Sequence, residues 1–457
     1  MARVAAGLDY EGALGRVMSL PDFERSKRSP GHSAFHLDRM SLILDRLGSP
    51  HLRVPTVHVA GTNGKGSTAA MVTSILTAAG HRVGLYTSPH LHRVVERIRV
   101  GLEPIDRQGF SDLVERIWPE VDWVGQGGGY GPLTFFELLT AMAFLHFSEI
   151  ETDFQVIEVG LGGRLDATNL VSPEVCIITS ISLDHVATLG NTVGEIALAK
   201  AGIIKSGVPV VVSPQCEEAM NVIGETASSR GAAVVDVENE LSWRRGGSHS
   251  DGQSIEVDGL RGSYQTRLAL NGDHQIENAA TAIATVETLM DRGFQVSPES
   301  VVDGLRTVSW PARLQQVSGA EQVVVDGAHN PDSMRRLVSA VRQTFEFRRL
   351  FLVFGAGGGH LVTDMLAELA DLSPALVAVR SRDPRATDSE HIADIAREQG
   401  LEVVGVSTTV AWGVREALAL AGEGDLVLGT GSLFVAAEVI EELEGITPEL
   451  YPEFERS

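Results

Sequence analysis

The sequence predicts an α/β protein built on a mostly parallel, doubly wound sheet. Short β-branched runs alternate with helical patterns along most of its 457 residues, and this alternation is typical of parallel sheets covered by helices. A chain of this length exceeds one ordinary domain. Trp310-Pro311 separates two such alternations, and a proline biases the residue before it away from helix. We therefore expect two domains, residues 1–308 and 309–457.

The first alternation begins with an amphipathic helix at 35–48, which ends at a glycine. Further helices are predicted at 69–79 and 134–148, and strands at 56–60, 83–87, 155–159, 175–179 and 208–213. Residues 240–270 are rich in Gly, Ser and Arg and predict a small β excursion or a mobile loop. In the second alternation, strands are predicted at 322–326, 349–354, 375–379 and 425–428.

Composition argues against several classes of function. The formal net charge of −23 disfavours nucleic acid or an anionic membrane as a partner, because both need basic patches. No apolar run reaches the roughly 18–20 residues that span a bilayer, and residues 1–20 lack the apolar core of a signal peptide. Cys176 and Cys216 show no metal-ligand spacing and predict reduced core thiols in a cytoplasmic protein.

Residues 57–68, VHVAGTNGKGST, run from an apolar strand through a glycine-rich turn into a helix. The N–H groups of such a turn face phosphates, Lys65 adds a positive charge, and a following hydroxyl can reach Mg²⁺. The match to the general P-loop pattern is imperfect, because Val59 and Gly66 stand where that pattern has a glycine and a Ser or Thr. A tight turn with a solvated lysine is the alternative to the predicted phosphate-binding loop.

Polar residues follow other predicted strands, where ligands bind in doubly wound sheets. Ser88 is either a metal ligand or a turn cap. Glu158 ends a buried strand before a glycine-rich turn, and is either a Mg²⁺ ligand or an ion-pair partner of Arg164. Asp184 and His185 end a third predicted strand. By itself His185 predicts a hydrogen-bonding residue, because Mg²⁺ prefers oxygen ligands.

Four further segments carry polar groups. Lys200 follows a helical run and could bind phosphate, carry a carbamate or be solvated. Residues 274–278 open an Ala-rich helix, where polar residues commonly serve as caps. Asp326 ends a strand of the second alternation and could hold ribose hydroxyls or orient Arg313. Arg313 lies beside the predicted hinge and could reach phosphates only when the domains close.

Together these segments resemble the Mur ligase family, and within it the folylpolyglutamate synthases and dihydrofolate synthases. The similarity extends from the helix at 35–48 to GTGS at 429–432. It is carried by GTNGKGS at 61–67, SPHL at 88–91, TFFE at 134–137, residues 158–169, LDH at 183–185, KAGIIK at 200–205, residues 274–279 and DGAHNP at 326–331. The family uses the Gly-Thr-Asn-Gly-Lys-Gly form of the loop, which explains the imperfect P-loop match.

The resemblance implies a P-loop-type, three-layer nucleotide domain of the Mur ligase central type and a Rossmann-like C-terminal glutamate-ligase domain, with ATP between them. It implies ATP contacts from Asn63, Gly64, Lys65, Gly66, Ser67, Asn278, Arg313 and Asp326. It implies one Mg²⁺ on Ser88 and Glu158, a second Mg²⁺ on His185, and a carbamylated Lys200. Lys65, Lys200 and His185 would act in catalysis. The folate substrate would lie along Thr134, Phe135, Phe136, Glu137, Leu165, Asp166 and Ala167.

The implied activity is ATP-dependent addition of L-glutamate to tetrahydrofolate polyglutamate, to dihydropteroate or to both, through an acyl phosphate and with release of ADP and phosphate. We expect a cytoplasmic monomer with small-molecule substrates and no nucleic-acid or membrane partner. The chain departs from the family pattern at Ala199, Ala312 and Gln315, where glutamate, glycine and glutamate are usual. Two alternatives stay open: a nucleotide-binding paralogue without ligase activity, and a cell-wall ligase acting on UDP-sugar peptides.

Overall fold

The structure is a computed structural model that describes residues 7–24, 36–127, 129–249, 252–358 and 361–451. Its helices are α1 Tyr10–Met18, α2 Asp38–Arg46, α3 Lys65–Ala78, α4 Arg107–Gly127, α5 Phe135–Glu149, α6 Val186–Leu189, α7 Val193–Ala201, α8 Glu217–Ser229, α9 Val237–Glu240, α10 Asp273–Asp291, α11 Pro298–Thr307, α12 Pro331–Thr344, α13 Val362–Leu369, α14 Ser389–Glu398, α15 Val410–Leu420 and α16 Leu433–Glu444.

Its strands form three sheets and alternate with these helices. They are β1 Thr56–Ala60, β2 Val83–Tyr86, β3 Ile98–Val100, β4 Glu103–Pro104, β5 Phe154–Glu158, β6 Val175–Ile178, β7 Val210–Val212, β8 Val234–Asp236, β9 Ser242–His249, β10 Gly252–Asp258, β11 Ser263–Leu268, β12 Gln315–Val317, β13 Ala320–Val325, β14 Leu350–Phe354, β15 Ala375–Val379, β16 Glu402–Ser407 and β17 Leu426–Thr430.

The eight-stranded sheet has the order β4-β3-β2-β5-β1-β6-β7-β8. Only its β4-β3-β2 edge pairs antiparallel, while the remaining pairs are parallel. Strand β1 is buried along its whole length and lies between β5 and β6, with Val59 beside Glu158 and Ala60 beside Ile178. The carboxyl ends of these central strands therefore meet at one edge, where ligands bind in such sheets.

Helices cover both faces of the eight-stranded sheet and make three layers. On one face, α3, α10 and α11 share a buried core with the sheet. On the other, α1, α2, α4 and α5 form a second core. Helix α5 begins with a capping box, in which the Thr134 hydroxyl accepts from the Glu137 N–H and the Glu137 carboxylate accepts from the Thr134 N–H.

The six-stranded sheet has the order β12-β13-β17-β14-β15-β16. Its strands are parallel except for β12, which pairs antiparallel with β13 at the edge. Helices α12, α13 and α14 pack on one face and α15 and α16 on the other. Strand β17 is the last strand among the described residues, yet it lies between β13 and β14 in the interior of the sheet.

Residues 240–270 form the three-stranded antiparallel sheet β11-β10-β9, so the predicted β excursion is confirmed for the described residues. Glu287 of α10 anchors this sheet. Its carboxylate is fully buried and accepts hydrogen bonds from the N–H groups of Leu260 and Arg261 and from the Tyr264 hydroxyl, at 2.7, 2.9 and 2.9 Å. The sheet thereby holds α10, whose first turns face the cleft described below.

Several sequence-based boundaries differ from the structure. The first amphipathic helix spans only Asp38–Arg46, and residue 35 of its predicted range lies outside the described residues. Helix α3 begins at Lys65 rather than 69, because the loop glycines lead directly into its first turn. The third predicted strand ends at Ile178, so Asp184 and His185 lie on a loop beyond it. Cys176 is buried as predicted, but Cys216 is exposed.

Strands β3, β4, β8, β12 and β16 were not predicted. Each lies at or next to a sheet edge, where short or half-exposed strands lack a strong apolar run. Among the helices of the described ranges, none combines the length and apolar character needed to cross a bilayer.

Replacing the buried anchor, Glu287→Ala, should lower the free energy of unfolding by about 3 kcal/mol, because three donors lose a charged acceptor that is itself buried. Tyr264→Phe removes one of these hydrogen bonds and should lower it by about 1 kcal/mol. Urea denaturation measures both values. Glu256→Ala removes a carboxylate from the exposed side of the same sheet and should change stability by less than about 0.5 kcal/mol. Equal effects of Glu287→Ala and Glu256→Ala would contradict the anchoring role.

Candidate active site

A cleft of about 3120 Å³ opens between the eight-stranded and six-stranded sheets. Every site residue predicted from the sequence lines it, from the glycine loop (residues 61–67) to Asp326 on the far wall. The structure thus brings the predicted residues together, and their individual roles stay predictions.

The glycine loop is packed so tightly that two of its glycines have no room for a side chain. A Cβ on Gly64, whose φ is 89°, would collide with the Asn278 side chain. A Cβ on Gly61 would collide with Thr179, and one on Gly66 would lie 3.0 Å from Nε1 of Trp310. Asn278, a predicted ATP contact, therefore lies directly against the loop.

The start of α3 presents unused N–H groups to the cleft. The N–H groups of Thr62 and Asn63 donate to the Ser180 carbonyl, at 2.9 and 3.1 Å, and fix the path of the loop. The first helical hydrogen bond of this turn runs from the Thr68 N–H to the Gly64 carbonyl at 2.9 Å. The N–H groups before Thr68 therefore have no acceptor within the helix, the arrangement that binds anions at a helix N-terminus. Lys65 Nζ, 3.1 Å from the Thr62 carbonyl, adds positive charge.

Glu158 is a buried carboxylate at the end of β5, with a 4% exposed surface. One oxygen accepts a hydrogen bond from the Ser88 N–H at 3.2 Å. Burial raises the pKa of Glu158, although nearby Lys65 acts in the opposite direction. Within the described residues Glu158 makes no ion pair with Arg164, so that alternative is not formed. A buried carboxylate beside a hydroxyl fits a divalent cation that also binds phosphate oxygens.

Asp184 contacts the opposite wall of the cleft, and His185 lies beside it on the same loop. The Asp184 carboxylate lies 3.6 Å from Nε2 of His329, on the loop after β13, and 3.9 Å from Nε2 of His185. Burial opposes ionisation of Asp184, but hydrogen bonding to His329 and the nearby positive charges lower its pKa. Desolvation by the surrounding walls of the cleft lowers the pKa of His185, which favours the neutral imidazole. His185 has a φ of 48° and its ring is open to the cleft.

Lys200, at the end of α7, is 5% exposed and donates a hydrogen bond to the Gly61 carbonyl at 2.6 Å. Burial, and secondarily the positive charge of Lys65, lower the pKa of Lys200 to about 7. The solvated-lysine alternative is therefore wrong. The side chain fixes the first residue of the glycine loop through this hydrogen bond. Because the pKa is about 7, a large fraction of the Lys200 amine is unprotonated at neutral pH.

Asp326 holds the turn that carries Arg313. Its two carboxylate oxygens accept hydrogen bonds from the N–H groups of Leu314 and Ala328, each at 2.8 Å. Ala312 and Leu314 both have left-handed backbones, with φ of 57° and 45°. Nη1 of Arg313 donates to the Ala312 carbonyl at 2.9 Å. This geometry favours the alternative in which Asp326 orients Arg313, while a direct contact of Asp326 with ribose stays a prediction.

The polar residues at the start of α5 are engaged with the protein. Besides its capping contacts, Glu137 forms an ion pair with Arg39 at 3.1 Å. The Phe135 ring is buried, with the Arg97 guanidinium 5.0 Å from its centroid. Phe136 is half-buried and its ring covers the backbone of Gly160. Among these four predicted substrate contacts, Phe136 presents the largest surface to the cleft.

The second predicted substrate segment begins with an exposed side chain. Leu165 is 41% exposed and Ala167 is buried. The Asp166 carboxylate accepts hydrogen bonds from the Leu161 N–H at 2.9 Å and from the N–H and hydroxyl of Thr168. Asp166 therefore fixes the glycine-rich turn, and Leu165 is the side chain available to a ligand.

Sequence reasoning missed the residues that join the two walls of the cleft. Nδ2 of Asn63 donates to Asp332 at 3.0 Å, and Nδ2 of Asn330 donates to Oδ1 of Asn63, also at 3.0 Å. Farther along, Arg336 pairs with Glu277 at 2.6 Å. Asn330 belongs to the DGAHNP segment at 326–331, but no pattern in the sequence indicated that it would contact the glycine loop.

Comparison with known proteins identifies the class of this fold and site. The Mur ligase middle domain matches residues 111–286, and the Mur ligase glutamate ligase domain matches residues 312–433. A dihydrofolate synthase/folylpolyglutamate synthase of Bacillus subtilis (strain 168) is 35% identical over 411 residues, 89% of this chain and 95% of the relative. The corresponding protein of Mycobacterium tuberculosis is 37% identical over 378 residues, 79% of this chain and 78% of the relative.

Solved structures agree with these matches. A Mycobacterium tuberculosis folylpolyglutamate synthase complexed with ADP and AMPPCP superposes with a TM-score of 0.88 and 34% identity, covering 96% of this chain and 100% of that one. An FPGS complex with AMPPCP and folate superposes with a TM-score of 0.82 and 30% identity, covering the same shares. The chain is thus a Mur-type ligase. It belongs to the family of dihydrofolate synthases and folylpolyglutamate synthases. The predicted family, fold class and ligase class are confirmed.

Gly64→Ala should destabilise the protein more than Gly80→Ala. The two glycines share a left-handed backbone, with φ of 89° and 91°, but a Cβ on Gly80 meets open space. Gly80→Ala should lower the free energy of unfolding by about 1 kcal/mol through backbone strain alone. Gly64→Ala should lower it by about 1–3 kcal/mol more, because Asn278 must move. Thermal and urea unfolding measure the difference, and equal losses would contradict the packing described for the glycine loop.

Proposed function

We propose that the cleft binds ATP and a folate or pteroate and joins L-glutamate to the free carboxylate of that substrate. One observation carries this proposal: the open N-terminus of α3, Lys65 and Glu158 converge at one edge of the eight-stranded sheet, opposite a second wall that carries Arg313. The relatives named above are dihydrofolate and folylpolyglutamate synthases, and one related structure is a complex with AMPPCP and folate.

The reaction begins with attack of the substrate carboxylate on the γ-phosphate of ATP, which gives an acyl phosphate and ADP. The α3 N–H groups and Lys65 stabilise the charge that develops on the transferred phosphoryl group. The amine of glutamate then attacks the acyl carbon, phosphate leaves with the bonding electron pair, and the amine loses a proton as the amide forms. No protein nucleophile is required, so the chain contributes positioning and electrostatics. Contacts between the cleft walls, such as Asn63 to Asn330, hold the walls together, and exclusion of water by the closed walls would protect the acyl phosphate.

Glu158 and Ser88 are the residues we propose for one Mg²⁺, and His185 for a second. Burial raises the pKa of Glu158, so the nearby positive charges do not fully offset the cost of burying its negative charge. When bound, Mg²⁺ supplies positive charge to the phosphate oxygens. Two protein ligands suffice for an ion that otherwise keeps water and phosphate ligands. The lowered pKa of His185 favours its neutral form, which leaves a nitrogen free to coordinate.

Lys200 is the residue we propose to be carbamylated. A carbamate forms when an unprotonated amine attacks CO₂, with loss of one proton, and the pKa of about 7 makes that amine available. Lys65 disfavours a second positive charge at this position, whereas it would stabilise a negative carbamate. The family's usual glutamate is replaced by Ala199, so the carbamate would depend on Lys65 and the neighbouring loop for support.

Other assignments complete the proposal. ATP would contact Asn63, Gly64, Gly66, Ser67, Asn278, Arg313 and Asp326, and the folate would lie along residues 134–137 and 165–167, with Phe136 and Leu165 as its main apolar contacts. The domain division at 308 and 309 is supported by the end of α11 at Thr307 and the start of the six-stranded sheet at Gln315. We further propose a cytoplasmic monomer without a nucleic-acid partner, in keeping with its net charge of −23.

Incubation with ATP, Mg²⁺, L-glutamate and either dihydropteroate or tetrahydrofolate tests the activity. Phosphate release that needs both the folate and glutamate, with mass-spectrometric detection of the glutamylated product, is the expected result. Release with UDP-linked peptide acceptors instead would favour the cell-wall alternative. Nucleotide binding without substrate-dependent phosphate release would favour the inactive paralogue. Comparing the two folates separates addition of the first glutamate from extension.

Lys65→Met should lower kcat/KM for ATP by a factor of about 10²–10³, because one positive charge at the transferred phosphoryl group is lost. Steady-state phosphate release at saturating folate and glutamate measures this ratio. Lys205→Met serves as the matched control, since Lys205 bonds Asn169 outside the lining of the cleft, at 2.7 Å. Comparable losses in the two variants would assign the effect to general destabilisation.

Activity should depend on bicarbonate if Lys200 carries a carbamate. Because the pKa of Lys200 is lowered to about 7, the neutral fraction of its amine rises with pH through that value. At fixed dissolved CO₂, initial reactivation of CO₂-depleted enzyme should be about tenfold faster at pH 8 than at pH 6. Labelling with ¹³CO₂ should give a carbamate signal in the NMR spectrum. Lys200→Arg should show neither the carbamate signal nor a change of activity with bicarbonate. A wild-type protein whose activity also did not change with bicarbonate would refute the carbamate.

A further inference from the structure

The loop at residues 88–93, which carries Ser88, has contacts on three sides. Ser88 donates to Glu158 at one end. At the other end, the Glu96 carboxylate accepts from the N–H groups of residues 91, 92 and 93 at 2.9, 2.9 and 2.8 Å. His90 lies between these two fixed ends, and its partners come from elsewhere in the chain.

The hydrogen bonds of His90 have definite directions. Nε of Arg97 donates to Nδ1 of His90 at 3.0 Å, since a guanidinium can only donate. With Nδ1 as acceptor, the neutral ring carries its hydrogen on Nε2. That nitrogen lies 2.9 Å from the Tyr451 hydroxyl oxygen and donates to it. The Tyr451 hydroxyl donates in turn to Oε2 of Glu449 at 2.8 Å.

The C-terminal tail, residues 446–451, therefore folds back onto the eight-stranded half of the molecule. Glu449 accepts from the Val94 N–H at 2.9 Å and from the Tyr10 hydroxyl of α1. The Tyr451 ring packs at the edge of the core formed by α1, α2, α4 and α5. The tail thus contacts both the chain's first described helix and the middle of the 88–93 loop.

Two further contacts tie the same loop to the six-stranded half. Nδ1 of His92 lies 3.0 Å from the Glu441 carboxylate of α16, the helix that precedes the tail. The Leu91 side chain packs against the core beneath α15 and α16. The 88–93 loop is consequently held by residues more than 340 positions later in the chain, as well as by its own neighbours.

We propose that the C-terminal tail positions the 88–93 loop for ATP and Mg²⁺, and that Tyr451 acts through His90 as a positioning residue of the active site. The inference rests on the proposed function of Ser88, which lies two residues from His90. Without the Tyr451 hydroxyl, the chain of donors from Arg97 to Glu449 is interrupted at His90. The His90 Nε2–H then loses its acceptor, although the edge contact between the two rings remains. The loop is held less firmly by the tail, which loosens the orientation of Ser88 toward Glu158.

Tyr451→Phe tests the proposal, because it keeps the ring and removes only the hydroxyl. At saturating folate and glutamate, we expect KM for ATP and the half-saturating Mg²⁺ concentration to rise about fivefold, the equilibrium effect of one hydrogen bond, with kcat changed less than twofold. In the ligand-free protein, amide hydrogen exchange of the 88–93 loop should become faster. The melting temperature, measured in parallel, identifies any general loss of stability.

Tyr10→Phe is the matched control. It removes a hydroxyl that donates to the same glutamate, Glu449, but makes no described contact with His90. KM for ATP and exchange of the 88–93 loop should stay at wild-type values. In a His90→Ala background, Tyr451→Phe should have no further effect on either quantity, because the two residues act in series.

Unchanged KM and exchange in Tyr451→Phe, equal effects of Tyr451→Phe and Tyr10→Phe, or additive effects of Tyr451→Phe and His90→Ala would each overturn the role of the tail. If the wild-type protein released no phosphate with either folate, the proposed function would fail instead. The exchange measurement on the ligand-free protein would then still decide whether the tail positions the loop.

Discussion

The path of the glycine loop is the constraint on which the remaining site depends. Side chains from three other segments, Thr179, Asn278 and Trp310, occupy the volume where loop side chains would lie. These contacts restrict the loop backbone to the conformation in which the N-terminus of α3 faces the cleft. The hydrogen bonds that reach the loop from Lys200 and from Asn330 require the same route, because each meets a defined atom of the loop.

The electrostatics of the site differ from those of the chain as a whole. The protein carries a net charge of −23, which repels the phosphates and carboxylates of the family's substrates at long range. Lys65 and Arg313 offset that repulsion locally, and the burial of Glu158 and Lys200 strengthens nearby interactions by excluding water. The lowered pKa of Lys200 follows from its burial and, secondarily, from the positive charge of Lys65. Binding an anion there relieves an unfavourable charge density that the folded protein maintains.

Much of this arrangement was predictable from local sequence. Strand β1 and the glycine loop were found because an apolar run, glycines and a lysine occur within twelve residues, and Glu158 because it ends a buried strand. The edge strands lacked such runs. Residues whose partners are remote in sequence escaped prediction, since no spacing joins Asn63 to Asp332 or His90 to Tyr451. For the same reason the sequence could not indicate that Asp326 supports a left-handed turn rather than facing solvent.

The interior position of β17 has a consequence for how the protein is made. The ribosome releases β13 and β14 long before β17, which lies between them. At typical elongation speeds, that delay is on the order of ten seconds. During that interval the two strands that flank β17 in the finished sheet lack the strand between them, and their unpaired edges are open to chaperones or to other nascent chains. The eight-stranded sheet contains no strand from this late segment, so all of its strands are synthesised before β13 and it can form first.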